Sequence, residues 1–164
     1  MSKAVLISIR PEWCEKIING QKTIEVRKTR PKLIPQFKCY IYRSVQGGVI
    51  GEFVCDNIFE RIVRVGAICE PPKYCICDWN MDCTPLDTLL ADACLTKDEL
   101  EKYLDGGVGY GWHISNLRIY DTPRELREFY AVPNEMEVAL KAKPKPITRP
   151  PQSWRYVEEE LWTD

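Results

Sequence analysis

The stretch Gly20-Gln21-Lys22-Thr23-Ile24-Glu25-Val26-Arg27 constrains this chain most. It sets three charges of mixed sign into a β-branched run, directly after an Asn19-Gly20 pair that can end a helix in the left-handed conformation. Val, Ile and Thr favour a strand. Side chains of a strand alternate, so Ile24 and Val26 are expected to face a core while Thr23, Glu25 and Arg27 share the other face. Lys22 sits at the turn into the strand, with a side chain long enough to swing to that same face. A carboxylate between two cations stays ionised and oriented. Such a trio can position a polar ligand or act as acid, base or electrostatic stabiliser. The plainer interpretation is a solvated strand face with paired charges, which contributes little to stability.

The neighbouring segments frame this run. Val5 to Ile9 is expected to form a first strand, with Val5, Ile7 and Ile9 on one face and Leu6, Ser8 and Arg10 on the other. Pro11 suits the first turn of a helix and Glu12 its positive end. Trp13, Ile17 and Ile18 give that helix an apolar stripe. Strands are predicted over 38–44 and 49–58, joined by a hairpin-like turn at Gln46-Gly47-Gly48. Residues 61–107 differ in character, holding five of the eight cysteines and a Pro-Pro. Helices are predicted there over 85–93 and 96–103, the second opened by a Thr96–Glu99 capping box. A strand over 110–120, a helical turn from Pro123 to Phe129, an extended Pro/Lys-rich segment over 141–151 and a last strand over 154–158 complete the chain. Strands with few helices point to an α+β or mainly-β fold, drawn as a mixed β-barrel.

Length and composition exclude several classes. A chain of 164 residues with 45% apolar residues suffices for one globular domain with a core. No apolar run approaches a membrane span, and the N-terminus lacks the layout of a signal peptide, so a cytoplasmic location is expected. Residues 1–43 hold ten Lys/Arg against three Asp/Glu, and the remainder 13 against 21. That imbalance can make a local positive surface, densest at Arg27-Lys28-Thr29-Arg30-Pro31-Lys32. The same run also reads as a hydrated loop. Cys69, Cys75, Cys77 and Cys83 have the ligand chemistry for zinc, but not the paired C-x2-C spacing. Neither a metal nor a cofactor is expected, and the cysteines are read as buried thiols.

Gly20, Lys22, Glu25 and Arg27 match the G-x-K-x-x-E-x-R signature, and the chain resembles the ASCH domain family of the PUA-like group. Ser8-Ile9-Arg10-Pro11-Glu12 and Gly51-Glu52-Phe53 agree with it. Tyr110-Gly111-Trp112-His113-Ile114 and Arg149-Pro150-Pro151-Gln152-Ser153-Trp154 look like segments of phage-associated bacterial members. The resemblance covers about 3–60 and 108–160 and implies a PUA-like single domain over 1–164, with 61–107 a variable insertion on one rim.

The resemblance further implies binding of RNA or a modified nucleoside in a cleft around Lys22, Glu25 and Arg27. Ser8 and Arg10, from one face of the first strand, and Thr23, from the signature strand, are expected to line that cleft. The family match adds Trp112 and His113, although a lone histidine is more often a structural hydrogen-bonder. Tyr42, Trp154 and Tyr156 are further stacking candidates, with core packing the plainer role. The rival function is an enzyme in which Lys22 and Glu25 are catalytic: a hydrolase of an acylated nucleoside, or an RNA nuclease. Relatives resembling amidohydrolases pair the signature Lys with a Thr where this chain has Glu25. A third possibility is a protein-interaction module using 61–107.

Overall fold

The computed structural model describes residues 2–65, 73–77, 83–84 and 86–160. Eight strands and four helices follow one another in the order β1 (Lys3–Ile9), α1 (Pro11–Ile18), β2 (Ile24–Arg27), β3 (Phe37–Arg43), β4 (Val49–Val65), β5 (Lys73–Cys77), β6 (Cys83–Thr84), α2 (Asp87–Ala93), α3 (Lys97–Leu104), β7 (Gly109–Arg124), α4 (Glu135–Ala139) and β8 (Trp154–Glu158). The α+β class and the mixed sheet are those expected from the sequence. Hydrogen-bonded neighbours run β2-β7-β4-β3-β1-β8, with β5 added to β4 and β6 to β5. Among the described residues this order has two ends, so the ladder is not the closed barrel drawn from the sequence. Instead of closing on another strand, β8 has its outer edge shielded by a bridge from Val157 to Ala131.

The described residues form two compact units. The first comprises residues 1–15, 36–54 and 116–164. In it β1 pairs in parallel with β3 (Leu6 opposite Tyr40) and antiparallel with β8 (Leu6 opposite Arg155). A central strand buries both faces, so β1 reads as a nearly continuous apolar run rather than an alternation. Its core joins Ala4, Leu6, Tyr40, Val49, Phe129, Ile147 and Val157. At Gly51 a Cβ would lie 2.4 Å from the Arg118 carbonyl oxygen, so close strand approach excludes any side chain there.

The second unit comprises residues 16–35 and 55–115. Its core gathers Ile24 and Val26 of β2 with Ile62, Tyr74, Leu86, Leu89, Ala93, Leu100 and Leu104. Most of these partners come from the 61–107 stretch, whose helices pack on the signature strand. Thr96 caps α3 through the expected box with Glu99. Two features depart from the sequence reading. The β4 strand runs on to Val65 and pairs with β5, where Cys75 faces Val63 in register. Pro123 lies within β7, and the helical turn after it is only a 3-10 segment, Leu126–Glu128. A proline at the end of a strand costs no ladder bond that the strand needs.

A buried carboxylate between two cations

The signature residues meet because the chain reverses sharply after α1. Gly20 takes φ +80°, open to glycine at little cost, and its N–H closes on Ile17 O. The Lys22 N–H then bonds Lys16 O at 2.9 Å. Thr23 is fixed from both sides: its N–H donates to Asp92 O (2.8 Å), and its carbonyl accepts from Ile114 N (2.8 Å). From there β2 pairs antiparallel with β7, Glu25 opposite Trp112 and Arg27 opposite Tyr110. Opposite residues share a face, so Glu25 and Trp112 lie on one side and Ile24 and His113 on the other.

All four residues of β2 are buried, as is Lys22. Burial therefore replaces the solvated charged face of the plainer interpretation. The Glu25 carboxylate has each oxygen engaged by a different cation. Lys22 Nζ stands 3.2 Å from Oε2, and Arg27 Nε donates to Oε1 at 2.8 Å. Lys22, Glu25 and Arg27 are 3%, 7% and 8% exposed, and together they hold one more positive than negative charge. Lys22 also donates to the Ala93 carbonyl at 2.7 Å. Ala93 is the last residue of α2, where carbonyls lack helical partners and the dipole is negative. The lysine thus joins the signature strand to the end of a helix from 61–107. Nothing in the local sequence marks Ala93 for that role, because a carbonyl carries no side-chain signature.

Tyr103 of α3 is a second contribution of that stretch. It is partly exposed, and Lys28 Nζ lies 5.1 Å from its ring centroid. Its phenol is pushed above the usual range, chiefly by burial, with Arg27 opposing and Glu25 reinforcing the shift. Arg30, next along the basic run, pairs with Glu60.

The remaining expected site residues are distributed differently. His113 pairs through Nδ1 with Asp56 Oδ1 at 2.6 Å, on the face away from Glu25. Trp112 shares the Glu25 face but is wholly sealed from solvent, which makes it a wall and not a stacking surface. Ser8 and Arg10 belong to the first unit. The Ser8 hydroxyl donates to Pro151 O at 2.6 Å and its N–H to Ser153 O at 2.9 Å, tying down the C-terminal segment, while Arg10 is exposed. Trp154 and Tyr156 stack edge-on at 5.4 Å.

The first unit holds its own buried carboxylate, Glu52, which accepts from Tyr120 Oη at 2.7 Å and lies 3.7 Å from Lys38 Nζ. Burial and that carboxylate both push the Tyr120 phenol up, so it stays protonated. Among the described residues no group of three His, Cys, Asp or Glu is placed to hold a metal. Of the cysteine tetrad, Cys69 lies outside the described residues, and the ladder sets Cys77 opposite Cys83. No described helix is long and apolar enough to cross a membrane.

Comparison with known proteins agrees with the signature. The family model of the ASCH domain matches residues 7–75. The crystal structure of ASCH from Zymomonas mobilis superposes with a TM-score of 0.60 at 18% identity, covering 95% of this chain and 88% of that one. A tyrosine-to-phenylalanine mutant of the same protein gives 0.60 at 18%, covering 96% and 92%. A serine-to-alanine mutant gives 0.59 at 17%, covering 95% and 89%. At such identities the likeness speaks for the fold alone. No curated protein matches the chain.

Proposed function

We propose, from the match of residues 7–75 to the ASCH domain family, that the chain binds RNA or a modified nucleoside at Lys22, Glu25 and Arg27. The observation that carries the reading is the excess positive charge of a buried trio whose one carboxylate is already committed on both oxygens. Two cations held together in a poorly solvated setting attract an anionic or acceptor-rich ligand more strongly than they would in water. Phosphate oxygens and the acceptor edges of a base are such ligands. Glu25 orients the two cations rather than reacting. Tyr103, with Lys28 over its ring, offers a partly exposed aromatic surface of the kind that stacks single-stranded bases.

The enzymatic alternative is weaker on the same geometry. Glu25 replaces the hydroxyl residue of the relatives resembling amidohydrolases, and both its oxygens accept from cations, which suits it poorly to act as a base. The observation in favour of chemistry is the His113–Asp56 pair, an orientation in which a carboxylate fixes the imidazole.

The test is a titration of the purified protein with short single-stranded RNAs and an acylated cytidine, with product analysis in parallel. The expected result is saturable binding without product, weakened at least about tenfold in Arg27→Gln and Lys22→Met, as for the loss of one charge-assisted bond. A salt slope near −1.4, from two phosphate-contacting cations, should accompany it. Turnover lost in both variants would overturn the binding reading in favour of an enzyme.

A further inference from the structure

We propose that the first unit carries a second ligand site, an anion groove between the β3–β4 turn and the end of β7 that takes a phosphoryl group on Arg43. The groove measures about 590 Å³ and is lined by Tyr42, Arg43, Gln46, Arg127 and Thr148, among others. That is the size range of small-molecule sites.

Arg43 is the anomalous residue. Its Nε is sealed from solvent and has no hydrogen-bond partner, and Arg43 makes no ion pair among the described residues. A buried donor without an acceptor is rare, and for a guanidinium it is costly. The other arginines of the groove behave differently. Arg124 is committed to Glu160 and to Glu128. Arg127 is largely exposed and meets Glu125 at 3.3 Å, a contact it can exchange for a ligand.

The turn beside Arg43 is also strained. Gly47 N–H closes on Arg43 O and Arg43 N–H on Gly48 O, which holds Val45 at φ +67°. A β-branched residue in the left-handed region is a true outlier, and Val45 is 96% exposed, so no packing accounts for it. The hairpin thus fixes the backbone beside a guanidinium that local groups do not satisfy, and a donor held in place without an acceptor marks a place kept for a ligand.

The chemistry favours a phosphoryl group over a carboxylate. The fork of Arg43 gives two parallel donors, Arg127 a second charge, and Gln46 and Thr148 uncharged donors on the same lining. Such a set surrounds a tetrahedral dianion better than a planar monoanion. The phosphoryl can belong to a free phosphorylated small molecule or to a nucleic-acid backbone.

The experiment is calorimetric titration of the full chain, Arg43→Met and Arg127→Gln with pyrophosphate, with pentauridylate bearing a 5′-phosphate, and with the same oligomer lacking it. We expect a phosphorylated probe to bind the parent chain. Binding should weaken at least about tenfold in Arg43→Met and two- to fivefold in Arg127→Gln. Unliganded Arg43→Met should melt no lower than the parent, because an unsatisfied donor is gone. Pyrophosphate binding as tightly as the oligomers identifies a small-molecule site. Preference for either oligomer by tenfold or more identifies a backbone site. Equal affinity in Arg43→Met and the parent, no binding of any probe, or a melting point several degrees lower in Arg43→Met would each overturn the proposal.

Discussion

Replacing Glu25 with glutamine keeps the shape of the trio and removes the negative charge that its two cations share. At an effective dielectric of about 20, charges at the observed 3.2 and 2.8 Å attract by about 5–6 kcal/mol each. Desolvation of the carboxylate, several kcal/mol, offsets part of that attraction. What the variant leaves behind decides the outcome: two cations, 3% and 8% exposed, with an amide between them. Breaking a buried pair from one side costs about 3–5 kcal/mol. For a chain of this size that is a fall in Tm of about 6–20 °C. Thermal and urea unfolding followed by circular dichroism at 50 and 500 mM salt measures it. Salt should change the difference by no more than about 2 °C, since buried pairs are poorly screened. In the double variant Lys22→Met with Glu25→Gln the effects should be less than additive by at least about 1 kcal/mol. A fall below about 2 °C in Glu25→Gln, or a difference that vanishes at high salt, would refute the coupled buried trio.

Other consequences can be checked by the same methods. Gly51→Ala places a methyl against the Arg118 carbonyl oxygen and should cost at least about 2 kcal/mol, whereas Gly106→Ala, with open space at its Cβ, should cost only the strain of an alanine at φ +81°, about 1 kcal/mol. Thr96→Ala removes one arm of the capping box and should lower Tm by about 2–4 °C. Burial first, and Asp56 second, push the Cys55 thiol up to about 12, so iodoacetamide at pH 8 should modify the half-buried Cys94 well before Cys55. Because the folded thiol keeps its proton after the unfolded one has lost it, Cys55 stabilises the fold fully below the ordinary thiol pKa. That stability drains by up to about 1.4 kcal/mol per pH unit above it, a slope that Cys55→Ala should lack when urea midpoints are compared from pH 8 to 10.5.

Much of the second unit's local structure was legible because it rests on short-range rules. The Asn19-Gly20 stop, the reach of Lys22 back to Glu25 and the Thr96–Glu99 box depend on residues three or four apart. The α4 helix carried the same kind of signal, an Asn134–Glu137 capping box, and passed unread beside the Pro/Lys-rich segment that follows it. The turn at Gln46-Gly47-Gly48 was also visible, but not the strain it imposes on Val45, since φ is set by closure of the hairpin around it.

By itself the sequence determined the helix–turn–strand that brings Lys22, Glu25 and Arg27 together, and with it the likeness to the ASCH domain over residues 7–75. Periodicity, capping and turn chemistry act within a few residues, and covalent spacing supplies the geometry. Tertiary structure alone decided what surrounds that trio. The core over Ile24 and Val26 draws on helices more than 60 positions away, the Ala93 carbonyl comes from the end of one of them, and the partner of His113 from a strand 57 residues distant. Backbone acceptors have no residue identity, and side-chain alternation says which face a residue takes but not whether the other face meets water or a core. Whether a charged strand is a solvated surface or a buried site depends on that second fact, which long-range packing supplies.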